Sequence, residues 1–270
     1  MTPDRKESAM SEIEMQQYIL KRYDDIRNTS VIRAYYGGTD FLNLGYWDEH
    51  TRDQKQACYN MMEQLLAWIP EKKGRILDVA CGKGATTAYL LNYYAPENVT
   101  AIDISGKNME LARINVPDCT FLEMSATDLN FPDNSFDSII SVEAAFHFHT
   151  REKFLHEAYR VLKTGGRLVL SDILMSLEGE RKVESRTEQN YVKDLEEYEN
   201  IIRRTGFDKV EVIDATEQCW RRHFWHVVHY VHERFLHKEI SWEQMKKHLY
   251  HTYRRALYVD YYLLAAASKS

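Results

Sequence analysis

The sequence has little that would place it in a membrane, outside the cell or on nucleic acid. None of its hydrophobic runs approaches the roughly 18 consecutive apolar residues that a transmembrane helix needs. The segment from Met1 to Glu14 is charged and polar and lacks the apolar stretch of a signal peptide. With 35 basic and 41 acidic residues the net charge is −6, which disfavours nucleic acid as a partner. These features predict a cytoplasmic protein that binds neither nucleic acid nor a membrane.

Cysteine and proline are also scarce. The four cysteines lie far apart without a CxxC pair, which predicts reduced thiols and disfavours a zinc or redox site. The five prolines are scattered, and no repeat or low-complexity linker divides the 270 residues. We therefore expect a single domain over residues 1–270.

Aromatic residues are abundant, at 12% of the chain, which suggests a pocket for a large, partly apolar ligand.

The hydrophobic pattern divides this domain into regions. Residues 1–70 are predicted to be helical, with Cys58, Met61, Met62 and Leu65 at helical spacing and a stop at Pro70. Residues 71–214 alternate between strands and helices, which predicts an α/β core with a largely parallel sheet. Residues 215–258 form a predicted helical cap, with a capping box at Ser241 and Gln244, and residues 259–270 contain a last strand.

The individual elements follow from the same pattern. Strands are predicted at 75–80, 98–104, 119–124, 136–142, 167–173, 209–214 and 261–267. Helices are predicted at 85–94, 107–115 with Ser105 as its N-cap, 151–163, and 188–205 with Gly206 at its C-terminal end. Gly165 and Gly166 are interpreted as the turn into the fifth strand.

A glycine turn follows the first strand and opens a helix. Gly82 and Gly84 would let a ligand approach the backbone at a helix N-terminus, and Asp103 ends the next strand, where a carboxylate can bind the hydroxyls of a ribose. A dinucleotide site would have a third glycine where this chain has Thr87, and Asp78 would repel a diphosphate. The residues therefore favour a cationic ligand.

Four motifs in order resemble the class I S-adenosylmethionine-dependent methyltransferases. They are Leu77-Asp78-Val79-Ala80-Cys81-Gly82-Lys83-Gly84, Ala101-Ile102-Asp103-Ile104-Ser105, the segment from Asp128 to Asp137, and the segment from Arg160 to Arg167. The resemblance implies a Rossmann-like seven-stranded, mostly parallel sheet in which strands 6 and 7 form an antiparallel pair. It also implies an N-terminal helical lid and a helical substrate cap between strands 6 and 7.

The resemblance implies a binding site for S-adenosyl-L-methionine. Matched residue by residue, it assigns cofactor binding to Tyr36, Asp78, Ala80, Gly82, Gly84, Asp103, Ile104, Ser125, Ala126 and Val142. Ser125 stands where the family has an acidic residue, Ala80 where it has a glycine, and Gly37 follows Tyr36 where an acid is common.

Candidate catalytic residues follow strands 4 and 5. His147 and His149 come just after strand 4 and Asp172 ends strand 5, so a histidine base and an orienting carboxylate are expected to meet at the ligand side of the sheet. The stretch Glu143-x-x-x-His147 followed by Arg151 resembles sugar and macrolide O-methyltransferases, which implies that His147 is the base and Asp172 its assistant. His149, Tyr46, Trp47, Trp220 and Phe224 are then predicted to line the acceptor pocket.

Two further patterns have ordinary explanations. His223, His226, His229 and His232 recur every third residue, but this spacing drifts around a helix, so at most two neighbours could share a metal, and we expect none. The arginine pairs at 203–204, 221–222 and 254–255 are interpreted as solvated helix faces, with a clamp for an anionic acceptor as the alternative.

The leading hypothesis is a methyltransferase acting on a hydroxyl of a small natural product, such as a polyketide, a polyketide-peptide or a macrolide. The first alternative is a C-methyltransferase of an alkene such as a prenyl diphosphate or a sterol, where Glu143 or an aromatic side chain would stabilise a carbocation. A nicotinamide-dependent dehydrogenase and a catalytically silent cofactor-binding subunit are the others. The predicted partner is a small-molecule acceptor, with a homodimer left open.

Overall fold

A computed structural model describes residues 30–182 and 188–270, and it contains a seven-stranded sheet in the order β3-β2-β1-β4-β5-β7-β6. Residues 1–29 of the predicted lid region, which include the segment from Met1 to Glu14, therefore lie outside the described residues. The strands are β1 Ile76–Val79, β2 Val99–Asp103, β3 Thr120–Glu123, β4 Phe136–Val142, β5 Leu162–Met175, β6 Asp208–Asp214 and β7 Val259–Ser268. The helices are α1 Ser30–Tyr35, α2 Gln54–Ala67, α3 Ala85–Leu90, α4 Gly106–Asn115, α5 Arg151–Val161, α6 Leu177–Lys182, α7 Leu195–Arg204, α8 Arg222–Leu236 and α9 Trp242–Ala256.

Strands β1 to β5 run parallel, whereas β7 pairs antiparallel with both β5 and β6. Every residue of β1 and β2 is buried, as expected for strands covered by helices on both faces. The predicted fold class is confirmed, including the antiparallel pair and the helical cap between β6 and β7.

Alternate residues of the strands feed two hydrophobic clusters on opposite faces of the sheet. Leu77 and Leu168 pack with α5 and α7 in one cluster. Ile76 and Val169 pack with the buried face of α2 in the other. This alternation follows from strand geometry, in which successive side chains point to opposite faces of the sheet.

Three sequence predictions of local structure need correction. The helix predicted for 188–205 is a short helical turn at Glu188–Asn190 followed by α7, because Asp194 caps α7 by accepting a hydrogen bond from Glu197 N–H at 2.9 Å. The helix predicted for 85–94 ends at Leu90. Strand β5 begins at Leu162, so Gly165 and Gly166 lie within it, at an irregularity in its pairing with β4.

The cap consists of the helical segment Thr216–Arg221, α8 and α9, and the predicted capping box of Ser241 and Gln244 begins α9. Ser105 caps α4 as predicted, by accepting from Asn108 N–H. Within the described residues, no helix combines the length and hydrophobicity that crossing a membrane requires.

Candidate active site

The turn between β1 and α3 has a backbone that suits small residues. Ala80, Gly82 and Gly84 adopt φ values of +62°, +57° and +86°, in the left-handed region that glycine tolerates best. A Cβ added at Gly84 would lie 3.3 Å from the Ala112 Cβ. The glycine at position 84 therefore lets the turn pack closely against α4, and the amides of Gly82 and Gly84 are paired within the protein, with Asp103 Oδ2 and Cys81 O.

Asp78 lies beneath this turn with 1% of its surface exposed. Its Oδ2 accepts hydrogen bonds from both Thr86 and Thr87 hydroxyls at 2.7 Å. Burial raises the pKa of Asp78 to about 6, although the two hydroxyl donors act in the opposite direction. The sequence analysis treated Thr87 only as a missing glycine. Thr87 is the third residue of α3, next to β1, and this position was the signal for its role as a hydrogen-bond donor to Asp78.

Asp103 connects the glycine turn to the neighbouring strand. Its Oδ2 accepts from the Gly82 amide at 2.9 Å, and its Oδ1 accepts from Ser105 N–H at 2.9 Å and Asn108 Nδ2 at 3.2 Å. The carboxylate thus stabilises both the turn and the start of α4. It lies at the carboxyl end of β2, where ligands bind in open α/β sheets.

The remaining predicted cofactor residues follow the ends of adjacent strands. Ile104 and Val142 are partly buried at the ends of β2 and β4. Ala126 is buried, and the Ser125 hydroxyl lies 2.9 Å from that of Thr127. These residues and the glycine turn lie at or just after the carboxyl ends of neighbouring strands, where ligands bind in open α/β sheets.

His147 ends a short helical turn, Ala145–His147, just after β4. Its ring lies against that of Phe146, with centroids 4.2 Å apart. The amide of Phe146 donates to Asp172 Oδ1 at 3.1 Å. This hydrogen bond connects Asp172 to the turn that carries His147.

Asp172 itself is fully buried in a polar network that the sequence analysis did not predict. Its Oδ2 accepts from Arg151 Nε at 2.6 Å and from the Tyr198 hydroxyl at 3.0 Å. Its Oδ1 accepts from the amides of Phe146 and Ile173. Arg151 is 2% exposed, and an arginine is almost never buried so deeply unless it is paired.

Glu143 is another acidic group at this edge, which the sequence analysis named in the stretch that ends at His147 and gave a role only in the alternative reaction. It has a φ of +50° and accepts hydrogen bonds from Leu44 N–H, at 2.5 Å, and from the Tyr262 hydroxyl, at 2.6 Å. Burial raises its pKa to about 7, whereas the two donors and the charge of Arg255 act to lower it. Glu143 thereby links β4, β7 and the segment that precedes α2.

The segment between α1 and α2, residues 36–53, lies over this site, and we call it the cover segment. Trp47 is 4% exposed, and its indole N–H donates to Leu44 O at 2.9 Å while its ring lies 4.3 Å from that of His226. Tyr46 is partly buried and bonds Ala57 O through its backbone. Tyr36 is buried and its hydroxyl donates to Leu42 O at 3.2 Å. The structure places Trp47 in the packed contact between this segment and the cap.

The predicted residues of the cap are mostly buried. Trp220 and Phe224 are buried, and the ring of Phe224 packs edge-on against Tyr253 with centroids 5.1 Å apart. His149 is partly buried at the beginning of α5, with its Nδ1 3.4 Å from Lys153 Nζ. Trp220 shares a cluster with Tyr36 and Tyr262, which brings the cap and the cover segment together above the sheet.

The histidines of α8 serve different contacts. His223 Nδ1 lies 2.9 Å from Gln54 Oε1, and burial lowers its pKa to about 3. His226 Nδ1 lies 3.1 Å from the Tyr35 hydroxyl, and His232 Nδ1 lies 2.7 Å from Val228 O. Over residues 30–182 and 188–270, no three His, Cys, Asp or Glu side chains are grouped as metal ligands.

Comparisons with known proteins agree with this geometry. A family model described as a methyltransferase domain matches residues 77–170. The chain is 31% identical over 193 residues to 27-O-demethylrifamycin SV methyltransferase of Amycolatopsis mediterranei, covering 65% of this chain and 70% of the relative. It is 34% identical over 141 residues to erythromycin 3''-O-methyltransferase of Saccharopolyspora erythraea, covering 50% of this chain and 46% of that protein.

A solved structure has the same fold. Phosphoethanolamine N-methyltransferase 2 of Haemonchus contortus, in complex with S-adenosyl-L-methionine, superposes with a TM-score of 0.70 at 20% identity, over 94% of this chain and 60% of the other. The matched family model begins at β1 and continues into β5, so it includes the glycine turn, Asp103 and His147. With this match and the similarity to the rifamycin enzyme, the chain belongs to the class I S-adenosylmethionine-dependent methyltransferases that act on small molecules.

Proposed function

We propose that this methyltransferase transfers its methyl group to a hydroxyl of a small natural product of the polyketide, polyketide-peptide or macrolide type, with His147 as the general base. The observation that carries the proposal is the position of His147. It lies on a short turn after β4, at the edge of the sheet where Asp103 and the glycine turn also lie. A base at this edge would be next to the acceptor when the cofactor is bound.

The donor half of the reaction depends on the residues of the glycine turn. When bound, S-adenosylmethionine supplies an electrophilic methyl group on a positively charged sulfur. In the proposal, Asp78 provides negative charge near the cationic methionine end, Gly82 and Gly84 allow close approach to the backbone, and Asp103 accepts from the ribose hydroxyls. Asp103 Oδ2 also accepts from the Gly82 amide, which connects the proposed ribose contact to the conformation of the glycine turn.

The acceptor half depends on His147. An imidazole nitrogen of His147 would accept the hydroxyl proton as the acceptor oxygen bonds to the methyl carbon and the bond from that carbon to sulfur breaks, which releases S-adenosylhomocysteine. Alignment and exclusion of water supply much of the remaining acceleration, because the protein forms no covalent bond itself. In this proposal Asp172 assists by holding the turn through Phe146 N–H, and the cover segment and cap exclude water.

The relatives support oxygen as the accepting atom. The similar proteins from Amycolatopsis and Saccharopolyspora are named for methyl transfer to oxygens of rifamycin and erythromycin. Trp220 and Tyr46 belong to one hydrophobic cluster and Phe224 is buried in the cap, so aromatic side chains are concentrated in the region where this proposal places an acceptor with a large apolar surface.

The test is methyl transfer from isotope-labelled S-adenosylmethionine to a panel of hydroxylated macrolides and polyketides that includes 27-O-demethylrifamycin SV, followed by mass spectrometry. We expect a labelled methyl ether, and we expect His147→Ala to lower kcat about 10²- to 10⁴-fold, the usual contribution of a general base. His156→Ala is the matched control, because it removes an imidazole from the exposed face of α5. Full activity of the His147→Ala variant would refute His147 as the base.

Methylation of an alkene carbon is a second candidate, and Glu143 is the observation that favours it. A carboxyl group at the end of β4 with a pKa near 7 could stabilise a carbocation and accept its proton. The two candidate functions predict that different variants lose turnover. An alkene methyltransferase would lose turnover on Glu143→Gln and keep most of it on His147→Ala, whereas a hydroxyl methyltransferase would lose it on His147→Ala.

A further inference from the structure

One peptide group of the turn that carries His147 is bound from both sides. The N–H of Phe146 donates to Asp172 Oδ1 at 3.1 Å, and the C=O of Ala145 accepts from Asn190 Nδ2 at 3.1 Å. These two groups belong to the same peptide bond. Asp172 comes from the end of β5, whereas Asn190 comes from the short helical turn Glu188–Asn190, outside the sheet. The peptide is therefore held between two parts of the chain.

Arg151 joins the two holding side chains to each other. Its backbone amide donates to Asn190 Oδ1 at 2.6 Å, and its Nε donates to Asp172 Oδ2 at 2.6 Å. The guanidinium also contacts Asn190 O through Nη1 and Ile173 O through Nη2. Asp172 is fully buried, and Arg151 and Asn190 are each 2% exposed. The arrangement is a closed, solvent-excluded set of hydrogen bonds around one peptide.

Stability alone does not explain such a network, because apolar residues of similar volume often stabilise a core as well as a buried ion pair does. Its geometric effect is more specific. The turn has two internal hydrogen bonds, from His147 N–H to Ala144 O and from Phe148 N–H to Ala145 O, and the contacts with Asp172 and Asn190 connect it to the rest of the protein. A displacement of about 1 Å at a reacting group can reduce a rate about 100-fold.

We propose that Asn190 is a positioning residue for His147, acting with Asp172 through the Ala145–Phe146 peptide. The inference rests on the proposed role of His147 as the base, and it gives Asp172 and Asn190 equivalent tasks on the two sides of that peptide. Asn190 itself contacts the backbone of the turn and Arg151, and it acts on the reaction only by orienting the imidazole.

The test uses Asn190→Ser in the full-length chain, which removes both side-chain contacts without changing the charge. Thr205→Val is the matched control, because it also removes a buried hydrogen bond to backbone, from Thr205 Oγ1 to Ile202 O at 2.7 Å. The first readout needs no acceptor. In protein labelled with ¹³C-histidine and saturated with S-adenosylhomocysteine, the His147 ring signal is assigned by its loss in His147→Ala and followed over a pH titration.

We expect Asn190→Ser to move the His147 titration midpoint by at least about 0.5 pH unit and Thr205→Val to leave it unchanged. With an acceptor that is turned over, Asn190→Ser should lower kcat about 10- to 100-fold with KM for S-adenosylmethionine within about twofold. In a His147→Ala background it should change kcat less than about twofold, because the imidazole it positions is already absent. Should Asn190→Ser fail to fold, Asn190→Ala carries the same expectations.

The two proposals fail differently. An unchanged His147 titration, or a loss of kcat in Asn190→Ser that persists in full in the His147→Ala background, overturns the positioning role while leaving His147 as the base. Full turnover by His147→Ala overturns the base assignment and the positioning role with it, whatever the titration shows.

Discussion

Glu143→Gln should remove a pH dependence from the stability of the protein. Folding raises the pKa of this carboxyl from its usual 4.5 to about 7, with burial as the largest cause. Between these two values the folded state therefore holds a proton that the unfolded state has released. The free energy of unfolding must then fall as the pH rises through this window, because the unfolded state binds fewer protons.

The size of the effect follows from the shift. Each pKa unit corresponds to about 1.4 kcal/mol, so ionising Glu143 in the folded protein costs about 3 kcal/mol by pH 8. The glutamine is neutral at every pH, and its Oε1 can still accept from Leu44 N–H and the Tyr262 hydroxyl. The variant should consequently gain stability relative to the wild type as the pH increases from 4.5 to 8.

Urea denaturation of both proteins at several pH values between 4.5 and 8 measures this difference. Comparing the two proteins cancels other titrating groups, including Asp78, whose raised pKa acts in the same direction. Glu157→Gln is a control that should show little pH dependence over this range, because hydrogen bonds from Arg160 lower the pKa of Glu157 and place its window below about pH 4.5. A difference between wild type and Glu143→Gln that stays flat to within about 0.5 kcal/mol would show that Glu143 is not buried in the way described.

The cofactor and the cover segment give two more expectations. Affinity for S-adenosylmethionine, measured by calorimetry, should fall up to about tenfold per pH unit below pH 6, because Asp78 becomes protonated near its pKa of about 6; Asp78→Asn should abolish this dependence. Gly45→Ala should destabilise the protein by more than about 2 kcal/mol in urea denaturation, because its φ is +77° and a Cβ there would lie 2.5 Å from the Ala57 Cβ. Gly38→Ala has a similar φ of +75° with nothing within 4 Å, so it should cost only the backbone strain, and equal losses in both variants would contradict the steric explanation.

The sheet could be predicted from the sequence because each strand is a local pattern. β4 lies at the predicted residues, and β1 and β2 each lie within their predicted ranges. Positions in the glycine turn could be predicted because their backbone conformation restricts the residue type. The break before α7 was missed because the apolar spacing continues through it, and the cap at Asp194 decides where the helix begins.

The contacts around the turn that carries His147 were harder to predict because their partners are distant in sequence. Arg151 and Asp172 are 21 residues apart, and Ala145 and Asn190 are 45 apart. Likewise, Phe224 of α8 was predicted to line a pocket, whereas the contact of His226 with Trp47, 179 positions earlier, could not be predicted from the spacing. Periodicity identifies the buried face of an element, whereas the identity of its partner depends on how the elements assemble.

The cap leaves and rejoins the sheet at one place. Ala215 N–H, where the cap begins, donates to Tyr262 O at 2.8 Å, and Asp214 pairs with Leu263 just after the cap ends. The cap is thus the long loop of a hairpin whose two stems are already paired. In chimaeras joined at these two stems, the pairing of β6 with β7 is kept, whereas the contacts of His223 with Gln54 and of His226 with Trp47 must be rebuilt. Because the cap is proposed to line the acceptor site, exchanging it for that of a relative would test whether it decides which acceptor is methylated.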